Sequence, residues 1–188
     1  MLNKGKWMRA AVLVLVVVLV GGIWFIKNQG NADKKTAAVQ NEQQGGELAA
    51  AGDPNFELYT NKMDVAALSA YQLPMLLDFG ADDCIPCQQM APALDAIHAE
   101  MQGKAIVKFV DVWKNTDGAD GFPIQVVPTQ IMIYADGTPY VPSEDMADSG
   151  IRFTMYSKKD TEEHMFTLHQ GGLTQDQMRL ILKDLGVV

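Results

Sequence analysis

LLDFGADDCIPCQQMAP, residues 76–92, holds both cysteines of this 188-residue chain, three positions apart. Residues 73–81, LPMLLDFGA, make a mostly continuous apolar run too short for a helix, and read as a buried strand. Beyond Cys87, residues Met90, Leu94, Ile97 and Met101 recur at helical spacing, and Gly103 stands past the end. The cysteines therefore mark the passage from strand to helix, with Cys84 at the helix N-terminus and Cys87 one turn inside. Pro86 lacks an N–H and has a fixed φ that suits a first helical turn. Pro92, within the helix, removes the bond to the Gln88 carbonyl and predicts a kink.

Further strands follow. AIVKFVDVW (105–113) is β-branched and aromatic between Gly103 and Asn115, and TQIMIYADGTPY (129–140) runs into an Asp136-Gly137 turn. Strand, helix, strand over 73–113 is a βαβ unit, so its two strands pair in parallel. HMFTLHQGG (164–172) reads as a strand entering a glycine bend. After it, Thr174 and Gln177 form a capping box, and Leu173, Met178, Ile181, Leu182 and Leu185 give the final helix an apolar face that Gly186 closes. Residues 141–162 fit this scheme least, and are read as a hairpin insertion in which IRFTMY pairs with HMFTL through a polar turn at 157–161.

Chemistry follows from the cysteine spacing. One helical turn holds two Cα atoms within the roughly 4.4–6.8 Å that a disulfide requires, so the pair opens and closes without refolding. Cys84 meets the free N–H groups and positive dipole of the helix end, which stabilise the attacking thiolate; Cys87 is the deeper, resolving thiol. A zinc site would need a second pair of ligands. His164 and His169 are 77 or more residues beyond Cys87 and, five apart on a strand, face opposite ways. A static disulfide closing so small a loop would stabilise a fold little. Redox exchange remains, carried by the Cys84–Cys87 pair itself, and no cofactor is expected.

The flanks set the context. Lys4, Lys6 and Arg9 precede an uncharged apolar run, 10–26, about 25 Å long as a helix and bordered by Trp7 and Trp24. Residues 1–27 read as a membrane anchor in preference to a cleaved signal, and residues 28–52, rich in Gln, Asn, Gly and Ala, as a flexible linker. Positive charge stays inside, so the domain at 53–188 is expected outside the cytoplasm, where disulfides persist. That domain carries nine Lys and Arg against 20 Asp and Glu, which argues against nucleic acid as a partner. The eleven Met residues are scattered and read as core filling.

Taken together, LLDFGADDCIPCQQMAP, VVPTQIMIYADGTPY and HQGGLTQDQM resemble the thioredoxin family in its membrane-anchored extracytoplasmic form, over about residues 60–188 with 141–162 set aside. The resemblance implies an α/β thioredoxin-like fold, a central mixed sheet flanked by helices. It implies that Val127-Pro128 is a cis peptide facing the cysteines, that the Val127 backbone pairs with substrate, and that Ile85 and Pro86 border it. Asp78 would be the buried carboxyl whose raised pKa lets it take a proton from Cys87.

It also implies protein disulfides as substrates, a membrane thiol carrier of the CcdA or DsbD type as electron donor, and apocytochrome c as one possible client. The family usually has Trp before the first cysteine, where this chain has Asp82 and Asp83. Two anions there oppose the helix dipole, keep the Cys84 pKa near its free value and make the disulfide a weaker oxidant. The reading is an extracytoplasmic thiol–disulfide oxidoreductase acting as a reductant. The alternatives are an oxidase or isomerase, or a metal-binding module of the same fold.

Overall fold

The computed structural model describes residues 53–187; the expected anchor (1–27) and linker (28–52) lie outside the described residues. Among the described residues, no helix is long and apolar enough to cross a membrane. Six strands, β1 (Tyr59–Thr60), β2 (Met75–Gly80), β3 (Ile106–Asp111), β4 (Thr129–Ile133), β5 (Thr154–Ser157) and β6 (His164–Gln170), form one sheet in the order β1-β3-β2-β4-β6-β5. β1 and β2 both run parallel to β3, while β2/β4, β4/β6 and β6/β5 are antiparallel. The helices are α1 (Val65–Ser69), α2 (Ile85–Glu100) and α3 (Gln175–Asp184).

Central position explains why β2 reads as a continuous apolar run: all six of its residues are buried, on both faces. Alternation sends Leu76 into the layer of Met90, Leu94, Ile97, Met178 and Ile181 from α2 and α3, and sends Met75, Leu77 and Phe79 into the opposite layer with Phe56, Leu68 and Tyr71. Asp78 is in phase with Leu76, on the α2 side. A shift of one residue in register would exchange the two sets.

The helix boundaries follow local chemistry. Cys84 is the N-cap of α2, Pro86 lies in its first turn, and the helix continues from Ile85 to Glu100 through Pro92. At α3, Thr174 accepts from the Gln177 N–H while the Gln177 side chain accepts from the Thr174 N–H, the reciprocal capping box; Gly186 follows at φ +94°.

Two boundaries differ from the sequence reading. β4 ends at Ile133, because Tyr134 N–H turns back to the Thr138 carbonyl around Gly137. The hairpin at 141–162 pairs as expected, Tyr156 opposite Phe166, with a bulge at Tyr156/Ser157. It is no appendage, however: β5 is the edge strand of the main sheet, and Met146 and Ile151 are buried in the core layer beneath α3. Asp184 fastens it, accepting from Tyr140 Oη at 2.5 Å and from Ser143 Oγ at 2.5 Å.

Candidate active site

The C-terminal end of β2 delivers the chain into α2 by a short loop, and the two cysteines begin that helix. They are joined as a disulfide with a Cα–Cα distance of 5.2 Å. Cys84 Sγ accepts the Cys87 backbone N–H at 3.3 Å, one of the helix-end donors without an intrahelical partner. A donor in that position supports negative charge on Cys84. Burial does not separate the two cysteines, at 7% and 6% exposure, so the expectation that Cys87 is the less exposed gives way to this hydrogen bond as their structural distinction.

Val127-Pro128 is a cis peptide, and the Val127 carbonyl oxygen lies 3.7 Å from Cys84 Sγ. Ile85 and Pro86 are exposed at the helix tip, Ile85 by 67%. Gly80 lies beneath: a Cβ there would come 2.5 Å from the Phe109 ring, so the absence of a side chain lets Phe109 pack against this end of β2, with Cys87 Sγ in ordinary contact at 3.4 Å. Gly172, in the bend before α3, passes close to the Pro86 carbonyl, where an added Cβ would be 3.9 Å away.

Asp78 is fully buried, and desolvation pushes its carboxyl up to about 7, with the Gln130 hydrogen bond pulling the other way. It shares with Cys87 a cavity of about 130 Å³, also lined by Ala81, Asp82, Gln88, Ala91, Leu94 and Phe109. That is more room than one water needs, so the cavity has space for solvent alongside both the carboxyl and the sulfur.

The loop before Cys84 is held by residues that sequence reading missed. Asp111, at the end of β3, accepts from the N–H groups of Asp82, Trp113 and Lys114 at 3.0, 2.9 and 2.9 Å. Burial alone would push its carboxyl up; these backbone donors and Lys114 outweigh that and hold it below the usual carboxylate range. Lys114 also forms an ion pair with Asp82 and raises its own pKa by doing so. The two acids before Cys84 are therefore not two free anions: Asp82 is paired, and Asp83 is the one without an ion-pair partner among the described residues. The signal was an Asp followed by Lys just past a strand end, which spacing alone does not connect to residue 82.

His164 and His169 make their hydrogen bonds elsewhere, although His169 stands opposite Gln130 in the β4/β6 register. Their ring nitrogens engage Thr167 Oγ1 at 2.8 Å and the Arg152 carbonyl at 2.9 Å.

A Cys-x-x-Cys disulfide at a helix N-terminus, facing a cis-proline and sharing a cavity with a buried carboxyl, has the arrangement of a thiol–disulfide oxidoreductase of thioredoxin-like fold. The family model described as Thioredoxin matches residues 57–152. Thioredoxin 1 of Chlorobaculum tepidum is 36% identical over 66 residues, 35% of this chain and 64% of its own length. A thioredoxin of Staphylococcus aureus is 33% identical over 79 residues, 39% of this chain and 75% of its own. Among solved structures, a mutant thioredoxin from Halobacterium salinarum aligns with TM-score 0.47 and 21% identity over 72% of this chain and 96% of that one. The chain belongs to the thioredoxin family.

Proposed function

We propose that this protein is a membrane-tethered reductant of protein disulfides outside the cytoplasm. The observation that carries the reading is the Cys84–Cys87 pair at the start of α2, with Cys84 on the helix-end N–H and Cys87 beside the buried Asp78. Cys84 thiolate attacks one sulfur of a client disulfide; a mixed disulfide forms, and the first client thiolate leaves. Cys87 gives its proton to Asp78, and its thiolate attacks Cys84 Sγ. The Cys84–client bond breaks, the second client thiolate leaves, and two electrons have passed from the protein dithiol to the client. The Val127 backbone is the element that would align the client strand.

Direction is argued from what surrounds Cys84. Ile85 and Pro86 offer no charge or side-chain donor to its thiolate, and Asp83 opposes it. The tether and the extracytoplasmic placement rest on the basic N-terminus and the apolar run at 10–26. A membrane thiol carrier of the CcdA or DsbD type is the proposed electron donor, with apocytochrome c among the possible clients. The Lys114–Asp82 ion pair favours the second reading, an oxidase or isomerase, because it offsets one of the two acids that disfavour thiolate.

Trapping tests the assignment. With Cys87→Ala, Cys84 should remain covalently joined to client proteins, and with Cys84→Ala few or no adducts should form. Equal trapping by both variants would contradict the assigned roles.

A further inference from the structure

Dithiol chemistry leaves one buried feature without a task. Gln130, two residues past the cis-proline, stands directly opposite Asp78 in the β2/β4 register, and both side chains are fully buried. Its Nε2 donates to Asp78 Oδ1 at 2.8 Å, and also lies 3.5 Å from Met90 Sδ. Asp78 Oδ2 and Gln130 Oε1, both buried, have no hydrogen-bond partner among the described residues. The pair thus holds two unmatched acceptors and lacks one proton. An unpaired amide oxygen is costly to bury, and an apolar side chain of similar size would avoid that cost.

We propose that Gln130 is a positioning residue for the resolving step, fixing Asp78 by Oδ1 so that Oδ2 is the oxygen that receives the Cys87 proton. The proposal rests on the dithiol reading above. In the step, the Cys87 S–H bond breaks and Asp78 Oδ2–H forms; Cys87 sulfur then bonds Cys84 as the Cys84–client bond breaks and the client leaves as thiolate. An amide serves both charge states of Asp78. Its N–H supports the carboxylate, and its Oε1 is free to accept from Oδ2–H once the carboxyl is neutral. A Lys or Arg in this place would support the anion alone.

Other titratable groups do not fill the role: His169 stands opposite Gln130 in the β4/β6 register, but its Nδ1 engages the Arg152 carbonyl at 2.9 Å. Asp82 and Tyr59 line the same cavity, but Asp82 is paired with Lys114 and Tyr59 Oη is directed to Asp95 at 3.5 Å. Lys108, on the adjacent strand, donates to the Pro54 and Glu57 carbonyls at 3.0 and 2.8 Å.

The test uses the reduced full chain in detergent and 5,5′-dithiobis(2-nitrobenzoate), whose two aryl thiolates report attack by Cys84 and resolution by Cys87 in turn. Across about pH 5 to 9, the second release should follow a titration that Asp78→Asn abolishes. Gln130→Met should move its midpoint up by about one unit and slow the second release about fivefold at neutral pH, leaving the first unchanged. Added to Asp78→Asn, it should slow release no further.

An unmoved midpoint in Gln130→Met overturns the proposal while leaving the dithiol reading intact; no second release from the unaltered chain at any pH overturns both. Should the variant not fold, the unaltered chain decides: the Gln130 side-chain amide resonances should titrate with the Asp78 carboxyl, and resonances that stay still refute the pairing.

Discussion

Asp78 is held in a place that favours its neutral form, and the consequence reaches beyond the proton it transfers. An ordinary carboxyl near 3.8 is raised to about 7 here, chiefly by desolvation. Between those values the native protein binds a proton that the unfolded chain has lost, so stability falls as pH rises through this window and levels off above it. The full difference is on the order of 4 kcal/mol, at 1.36 kcal/mol per unit. Asp78→Asn keeps the shape and removes the titrating carboxyl. The variant should match the parent near pH 4 and exceed it by a few kcal/mol at about pH 8 in denaturant unfolding of the oxidised form. An equal difference at both pH values would show that Asp78 does not carry this titration.

Among the elements, the start of α2 is controlled from outside itself. Asp111 and Lys114, at and just past the end of β3, grip at Asp82 the loop that delivers Cys84, the first through the Asp82 backbone N–H and the second through its carboxylate. Asp111 also fixes its own loop through the N–H groups of Trp113 and Lys114. Exposed pairs are worth little in stability, so the effect of Lys114 should show at the sulfur instead. Lys114→Gln leaves Asp82 and Asp83 both unpaired, and the Cys84 thiol pKa should rise by a few tenths to about one unit, an effect that shrinks with added salt. Thiolate absorbance of the Cys87→Ala protein with and without this change measures it; an unchanged pKa would place these charges out of reach of Cys84.

Legibility at this scale depended on whether a signal was local. The face of α2, the capping box of α3 and the parallel pairing of β2 with β3 rest on spacing along one stretch of chain, and each is found as read. The role of Asp78 and the cis bond at Val127-Pro128 both came from the family resemblance. Gln130 and the Asp111–Lys114 grip were not legible, since each acquires its partner only through the register of the sheet or the meeting of two loops. The place of β5 was obscured for a related reason: three of its four residues are exposed, so it has the composition of a surface hairpin while pairing as the edge of the main sheet.

At the scale of the whole molecule, the domain is an acidic thioredoxin-family body whose single redox pair sits at one end of a six-stranded sheet. The family membership defines the chemistry, and the surroundings of Cys84 argue for its direction: an apolar Ile-Pro dipeptide, an Asp83 without an ion-pair partner among the described residues, and an Asp82 offset by Lys114. The balance leaves the thiolate supported mainly by the helix end, which keeps the disulfide from being a strong oxidant. The midpoint potential of the Cys84–Cys87 couple, equilibrated against a thiol buffer at neutral pH, tests this most directly. The account predicts a value nearer the thioredoxin figure of about −270 mV than the DsbA figure of about −120 mV, and a potential above roughly −180 mV would contradict it.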